Sequence, residues 1–238
     1  MAEKSLRVDV WSDIVCPWCA IGKHRLDQVL ASSPHRKDVE VVWRAFELDP
    51  SAPRVREGDQ ASHIAKKYGR SKAEAEAMIQ RVSDVAAGDG LSFDLLHAKS
   101  GNTFDGHRLL HLAAERGVQG AVKERFFRGY MAEGLAIGEA DVLVKLAAEA
   151  GLDADEARAT LASDRYASEV RDEESAARAI GIAGVPFFVF GGRLAVSGAQ
   201  PAEVLSRALE EAWAQAGQAG DEEKDASEGA VCGPEGCA

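Results

Sequence analysis

Cysteine is scarce in this chain: four residues in 238, standing in two close pairs, Cys16 with Cys19 and Cys232 with Cys237. So few cysteines, so placed, exclude a disulfide-stapled miniprotein and describe sites instead of a framework. Long apolar runs are lacking as well. Nothing approaches the about 20 apolar residues needed to cross a bilayer. Met1-Ala2-Glu3-Lys4-Ser5 leads into a strand with no signal-like stretch, so a cytoplasmic protein with no membrane partner is expected. Basic charge is in deficit. With 28 Lys and Arg against 39 Asp and Glu the net charge is −11, which argues against a nucleic-acid partner or an anionic lipid surface, although Asp221-Glu222-Glu223 supplies part of it. No internal repeat is found. What the chain has is apolar content, 46% of residues, enough to bury a sizeable core as one large domain or two smaller ones.

The most informative segment is Cys16-Pro17-Trp18-Cys19, which follows an apolar run (Val8, Val10, Trp11, Ile14, Val15) and opens an amphipathic one (Ile21, Leu26, Val29, Leu30). Two residues between the cysteines put both sulfurs within one helical turn, so a disulfide can close and reopen with little backbone movement. At a helix N-terminus, unpaired N–H groups and the positive dipole end stabilise a thiolate, and Pro17 loses nothing there by lacking an N–H. Cys16 is accordingly expected to be the exposed nucleophile, and Cys19 the more buried thiol that resolves a mixed disulfide. Half of a zinc site is the alternative, with Cys232 and Cys237 as the other half. Pro-Trp between the ligands, a strand before and a helix after fit redox chemistry better, and no metal is assigned. Gly184-Val185-Pro186-Phe187-Phe188-Val189-Phe190 sets Pro186 at the mouth of another strand, where an X-Pro bond can be cis.

Along the chain, Leu6–Asp13 and Val39–Phe46 have strand character and enclose the helix that follows Cys16. Pro50, Pro53 and Gly58 mark a loop, after which the pattern is helical for more than 100 residues. Ser71 with Glu74 reads as a capping box before Ala75–Ala87, and Asp153 with Glu156 does the same before a helix ending near Ala162. Gly117, Gly134, Gly151 and Gly181 stand where helices would end. Leu109, Leu112 and Ala113, then Phe126, Phe127, Tyr130 and Met131, then Leu143, Leu146 and Ala147 supply the buried faces. Strands return at Pro186–Phe190 and Leu194–Ser197 around a Gly191-Gly192 hairpin turn, and Pro201 starts a helix running to about Ala214. From residue 217 apolar periodicity is lost, the mark of a flexible tail.

These residues together resemble the DsbA-type thioredoxin-fold proteins, in particular their cytoplasmic FrnE-like branch. The matching segments are Cys16-Pro17-Trp18-Cys19 with Gly22, Asn102-Thr103, His107-Arg108-Leu109, Phe126-Phe127, Glu133-Gly134, Gly151-Leu152, Gly184-Val185-Pro186-Phe187-Phe188 and Ser197-Gly198-Ala199-Gln200. The resemblance implies an α/β, thioredoxin-like fold with a large all-helical domain inserted between its β-α-β and β-β-α halves. Residues 1–55 and 180–216 would form the discontinuous thioredoxin-like domain, 56–179 the helical insert and 217–238 an acidic tail. It also implies a cis-proline at Pro186 beside the cysteine pair. Val185 would offer its backbone to a substrate strand, with Pro17 and Trp18 completing the substrate contacts.

Two departures from the family pattern carry weight. Related 2-hydroxychromene-2-carboxylate isomerases and kappa-class glutathione transferases have serine where this chain has Cys16, which favours dithiol exchange over glutathione-assisted isomerisation. Thioredoxin and DsbA relatives carry a buried acid six residues before the first cysteine, where this chain has Val10. Asp13 at the strand end is then a candidate proton-transfer residue, a plain turn or capping role being the alternative. His24, about two helical turns past Cys16, reads as a surface or groove residue, and His107 as a satisfied structural histidine, with a place lining the groove between domains as the alternative.

Cys232-Gly233-Pro234-Glu235-Gly236-Cys237 can close a small disulfide loop, and similar tails in FrnE-like proteins look like auxiliary redox pairs. A flexible chain from Trp213 to Cys232 would reach roughly 22–26 Å, enough to visit Cys16. The expected protein is thus a thiol–disulfide oxidoreductase acting on protein or small-molecule disulfides and thiols, with no cofactor beyond its own disulfide and a thiol co-substrate. A glutathione-dependent isomerase and a non-catalytic chaperone or binding module are the alternatives. Redox direction and oligomeric state are not assigned.

Overall fold

The computed structural model describes residues 5–228, with side chains through 216. Strand β1 (Leu6–Ser12), helix α1 (Pro17–Ser32) and strand β2 (Val39–Ala45) come first. Between β2 and the next strand lie α2 (Gln60–Tyr68), α3 (Lys72–Gly88), α4 (Phe104–Glu115), α5 (Gln119–Met131), α6 (Ala140–Glu149), α7 (Ala154–Leu161) and α8 (Ala167–Ala179). Strands β3 (Phe187–Phe190) and β4 (Leu194–Ser197) and helix α9 (Ala202–Glu228) follow. The sheet order is β2-β1-β3-β4, with β1 parallel to β2 and antiparallel to β3. A crossover helix is what a parallel pair requires, and α1 supplies it.

Side-chain alternation decides what each sheet face meets. Leu6, Val8 and Val10 of β1 point with Phe188 and Phe190 of β3 into a core closed by Leu26 and Val29 of α1 and Leu205 and Leu209 of α9. On the opposite face Trp11 packs with Ala177 and Ile182, and its indole N–H donates to the Glu173 carbonyl at 3.2 Å. The second and larger core is helical. Leu109, Leu112, Phe126, Phe127, Tyr130, Met131, Leu143 and Leu146 are all buried in it, as their helical spacing predicts. Fully burying a Leu or Phe side chain contributes roughly 1.5–3 kcal/mol. Ile14, Cys16 and Cys19 belong to this helical cluster and not to the sheet core. The turn after β1 is therefore the seam between the two cores.

Local signals set most boundaries. The Ser71–Glu74 capping box forms in full, whereas Asp153 caps the Asp155 and Glu156 amides while Glu156 itself turns away to Arg116. Gly117, Gly134, Gly151 and Gly181 all take positive φ just past helix ends, where a side chain would be strained. Gly191 and Gly192 do so in the β3–β4 hairpin.

The last helix is longer than its sequence pattern suggests. It runs to Glu228, past the end expected near Ala214 and into the segment expected to be flexible. The Ala, Gln, Glu and Lys of 214–228 are good helix formers with no proline among them, and propensity extends the helix where no buried face is needed. Among the described residues no helix is long and apolar enough to cross a membrane.

Candidate active site

Cys16 is the N-cap of α1, in extended conformation, with Pro17 at the first helical position. The turn that delivers it is closed by Cys16 N–H donating to Asp13 O at 3.2 Å, and the Cys19 amide donates back to Cys16 O at 3.0 Å. The expectation of an exposed Cys16 does not hold. It is 4% exposed and Cys19 0%, because α4 and α5 cover the turn that a bare thioredoxin-like sheet would leave open. Both are free thiols. The Cys16 thiol donates to the carbonyl of Val185 at 3.5 Å, and the Val185–Pro186 bond is cis. Gly22 makes this approach possible. A Cβ there would stand 3.0 Å from Pro186 Cγ and 3.1 Å from Phe188 Cζ.

Access to Cys16 runs through a cavity of about 800 Å³ between the turn and the helices. Cys16, Pro17, Trp18 and Val185 line it together with Tyr68 of α2 and Tyr130 of α5. Trp18 is 40% exposed at the rim. Cys19 does not line the cavity. Burial pushes its thiol well above the ordinary cysteine range and the neighbouring Cys16 sulfur adds to this, while the charge of Lys123 opposes it. Arg56, Lys66 and Lys67 give the α2 side a basic character, offset in part by Asp49 and Glu57.

Behind the pair lies a buried polar group that spans distant parts of the chain. Asp13 is 1% exposed, and its carboxylate accepts from the Leu48 amide at 2.7 Å. Its other oxygen lies 3.4 Å from His107 Nε2, a close approach that misses directed hydrogen-bond geometry. Burial raises the Asp13 carboxyl, but His107, the Leu48 amide and the Thr103 hydroxyl together bring it below the ordinary range. His107 goes the other way: burial lowers it and Lys123 lowers it further, against the pull of Asp13. Asp13 does not cap α1, whose first turn receives no side-chain cap.

Cys16, Cys19, Pro17, Trp18, Val185, Pro186 and Asp13 are thus brought to one place, while Cys232 and Cys237 lie outside the described residues. His24 stays on the outer side of α1, bonded to Gln28. Two residues here take places the sequence did not show. His107 faces Asp13 instead of the groove, and Lys123 is fully buried beside the turn. The available signal for Lys123 was its spacing: it sits three and four residues before Phe126 and Phe127, on the apolar face of α5.

A cysteine pair at the first helix end of such a sheet, faced by a cis-proline, defines a protein of the thioredoxin class. Within that class the chain belongs to the DSBA-like thioredoxin domain family, which it matches over residues 7–210. It is similar to a probable DsbA oxidoreductase from Streptomyces coelicolor, 43% identical, with 98% of each chain covered and a TM-score of 0.81. The uncharacterized protein YwbO of Bacillus subtilis (strain 168) is 29% identical over 209 residues, 86% of this chain and 96% of that one. A 2-hydroxychromene-2-carboxylate isomerase shares 16% identity and a TM-score of 0.63 over 89% of this chain and 98% of its own, a likeness of fold alone.

Proposed function

We propose that this protein is a thiol–disulfide oxidoreductase working through a mixed disulfide at Cys16. The observation that carries the reading is the placement of the Cys16 sulfur, on the cavity wall and against the carbonyl of Val185, while Cys19 is sealed behind it. In the reductive direction the Cys16 thiolate attacks a substrate S–S bond, forming a Cys16–substrate disulfide and releasing one substrate thiolate. Cys19 then loses its proton and attacks Cys16 Sγ, so a second substrate thiolate leaves and the enzyme carries the new disulfide. Two electrons pass to the substrate, and the oxidative direction is the reverse. Asp13 with His107 is the proposed destination of the Cys19 proton, the ionised carboxylate holding the imidazole as acceptor.

Val185 lies outside the β3 ladder, so its backbone can pair with an extended substrate segment once the Cys16 thiol gives up the Val185 carbonyl, with Pro17, Trp18 and Pro186 around the sulfur. The cavity volume suits a peptide segment or a small disulfide. A thiol co-substrate would reset the pair, and no bound cofactor enters the scheme. Cys232 and Cys237 enter as an auxiliary redox pair on the strength of their spacing. An insulin-reduction assay tests the main reading: Cys16→Ser should abolish turnover, and Cys19→Ser should trap substrate on Cys16. Undiminished turnover by Cys16→Ser would remove the mechanism.

A further inference from the structure

Lys123 is 0% exposed, yet among the described residues no carboxylate pairs with it. Its ammonium donates to the Ser12 carbonyl at 3.3 Å and lies 5.1 Å from the Phe127 ring and 5.8 Å from the Trp43 ring. Lys23, on the neighbouring helix, shows the ordinary solution, pairing with Asp27 at 2.6 Å and Glu124 at 2.9 Å. One carbonyl and two ring faces compensate a buried ammonium only in part, since removing such an ion from water costs several kcal/mol. A methionine would fill the same space without that cost, so the charge calls for a partner.

The partner is found by following the backbone. Ser12 O ends β1, immediately before Asp13, and the Asp13 carbonyl in turn receives the Cys16 amide. The ammonium is therefore fastened to the turn that carries the cysteine pair. Neither Lys123 nor Cys19 lines the cavity, so the charge lies on the closed side of the site.

We propose that Lys123 is a positioning residue that links the redox state of the Cys16–Cys19 pair to its proton inventory, its buried ammonium favouring the thiolate of the reduced enzyme. This rests on the oxidoreductase reading above. The charged and titratable groups around it are Cys16 at the N-cap of α1, Cys19 of α1, Asp13 of the turn, His107 of α4 and Glu173 of α8, with Lys23 of α1 over the same Trp43 ring at 6.0 Å. Burial brings the lysine down to about 8, with Cys19, Asp13, Cys16 and Glu173 each working to hold its proton on. When the pair closes to a disulfide, two electrons and the thiol protons leave, and with them the thiolate charge. Lys123 is then left with Asp13 and Glu173, and it holds its proton less tightly. By the same linkage the ammonium stabilises the reduced form and makes the pair more oxidising.

The test combines a variant with a measurement on the unaltered protein. Lys123→Met should lower the equilibrium constant for enzyme reduction by glutathione about tenfold, or about 30 mV for a two-electron couple. It should also move the pH of half-maximal alkylation of the reduced pair up by about one unit, a shift that lost packing alone would not produce. In the wild type, NMR titration of the Lys123 side chain should give a higher midpoint in the reduced than in the oxidised protein. Equal midpoints would overturn the proposal even if Lys123→Met failed to fold, as would an unchanged potential and alkylation profile in a folded variant. Either result alongside a wild type that still reduces insulin would leave the oxidoreductase reading standing. A wild type without disulfide exchange would instead remove that reading.

Discussion

The two cysteines differ in what surrounds their sulfurs, and the proposed roles rest on this difference. Cys16 reaches the cavity, whereas Cys19 is enclosed and burial pushes its thiol up. Iodoacetamide should therefore label Cys16 first in the reduced protein, and mass mapping that found Cys19 labelled earlier would reverse the assignment. Asp13 is the second residue whose surroundings make a claim. Its ionised carboxylate holds His107, so Asp13→Asn should prolong the lifetime of a Cys16–peptide disulfide by roughly 10²-fold while leaving its formation rate nearly intact. Stopped-flow following of a fluorescent peptide checks this, and equal lifetimes would take Asp13 out of the proton path. The placement of the cysteine pair at one helix end was legible because it lies in local spacing. His107 opposite Asp13 and Lys123 bonded to Ser12, 111 residues away, were not. Each sits on a helical face that reads as ordinary packing until the fold shows what it packs against.

At the scale of elements, the joints carry the pH and stability consequences. Where β2 ends, Glu47 meets α8: Arg171 donates to Glu47 at 2.5 Å and to Glu174 at 2.8 Å, so two buried carboxyl groups share one cation. Burial raises Glu47, Arg171 opposes this and the Glu174 charge adds to it, leaving the group at about 7 against its ordinary 4.5. A carboxyl that ionises at lower pH unfolded than folded stabilises the fold fully below the unfolded value. That contribution is lost as pH rises toward the folded value. Between pH 4.5 and about 7 this joint therefore weakens with rising pH. Glu47→Gln should raise Tm by at least ~2 °C at pH 8 and change it little at pH 4. A melting curve showing the reverse order would refute the shared-proton account. The capping box at Ser71 makes a simpler case. It fixes the start of α3, whose Ile79 and Val82 line the cavity, and Ser71→Ala should cost about 1 kcal/mol, or ~2–4 °C in thermal unfolding. Such caps and the glycines past helix ends made most boundaries readable. The end of α9 lies past Ala214 because periodicity registers packing, and helix propensity alone leaves no periodic mark.

For the whole molecule, the direction of α9 bears on the terminal cysteine pair. Ser197 pairs with Phe187, and Phe187 with Trp11, so α9 begins near the end of the sheet that bears the cysteine turn. By Ala212 it has reached the opposite end, where a Cβ on Gly191 would lie 3.0 Å from Leu6 and 3.9 Å from Ala212. Continued to Glu228 as one helix, it carries the chain on the order of 24 Å farther from Cys16. The length of β1 adds about 20 Å more. Four residues from Glu228 to Cys232 span at most ~14 Å. With α9 one helix to Glu228, four residues beyond it are too few to span the way back to Cys16, in place of the reach expected of a flexible chain from Trp213. Exchange between the two pairs should then pass between molecules. The recycling rate per enzyme with a dithiol reductant should rise with enzyme concentration in the wild type and stay flat in the Cys232→Ser, Cys237→Ser double variant. A rate that differs between the two proteins but is independent of concentration would instead require the tail to fold back on its own site.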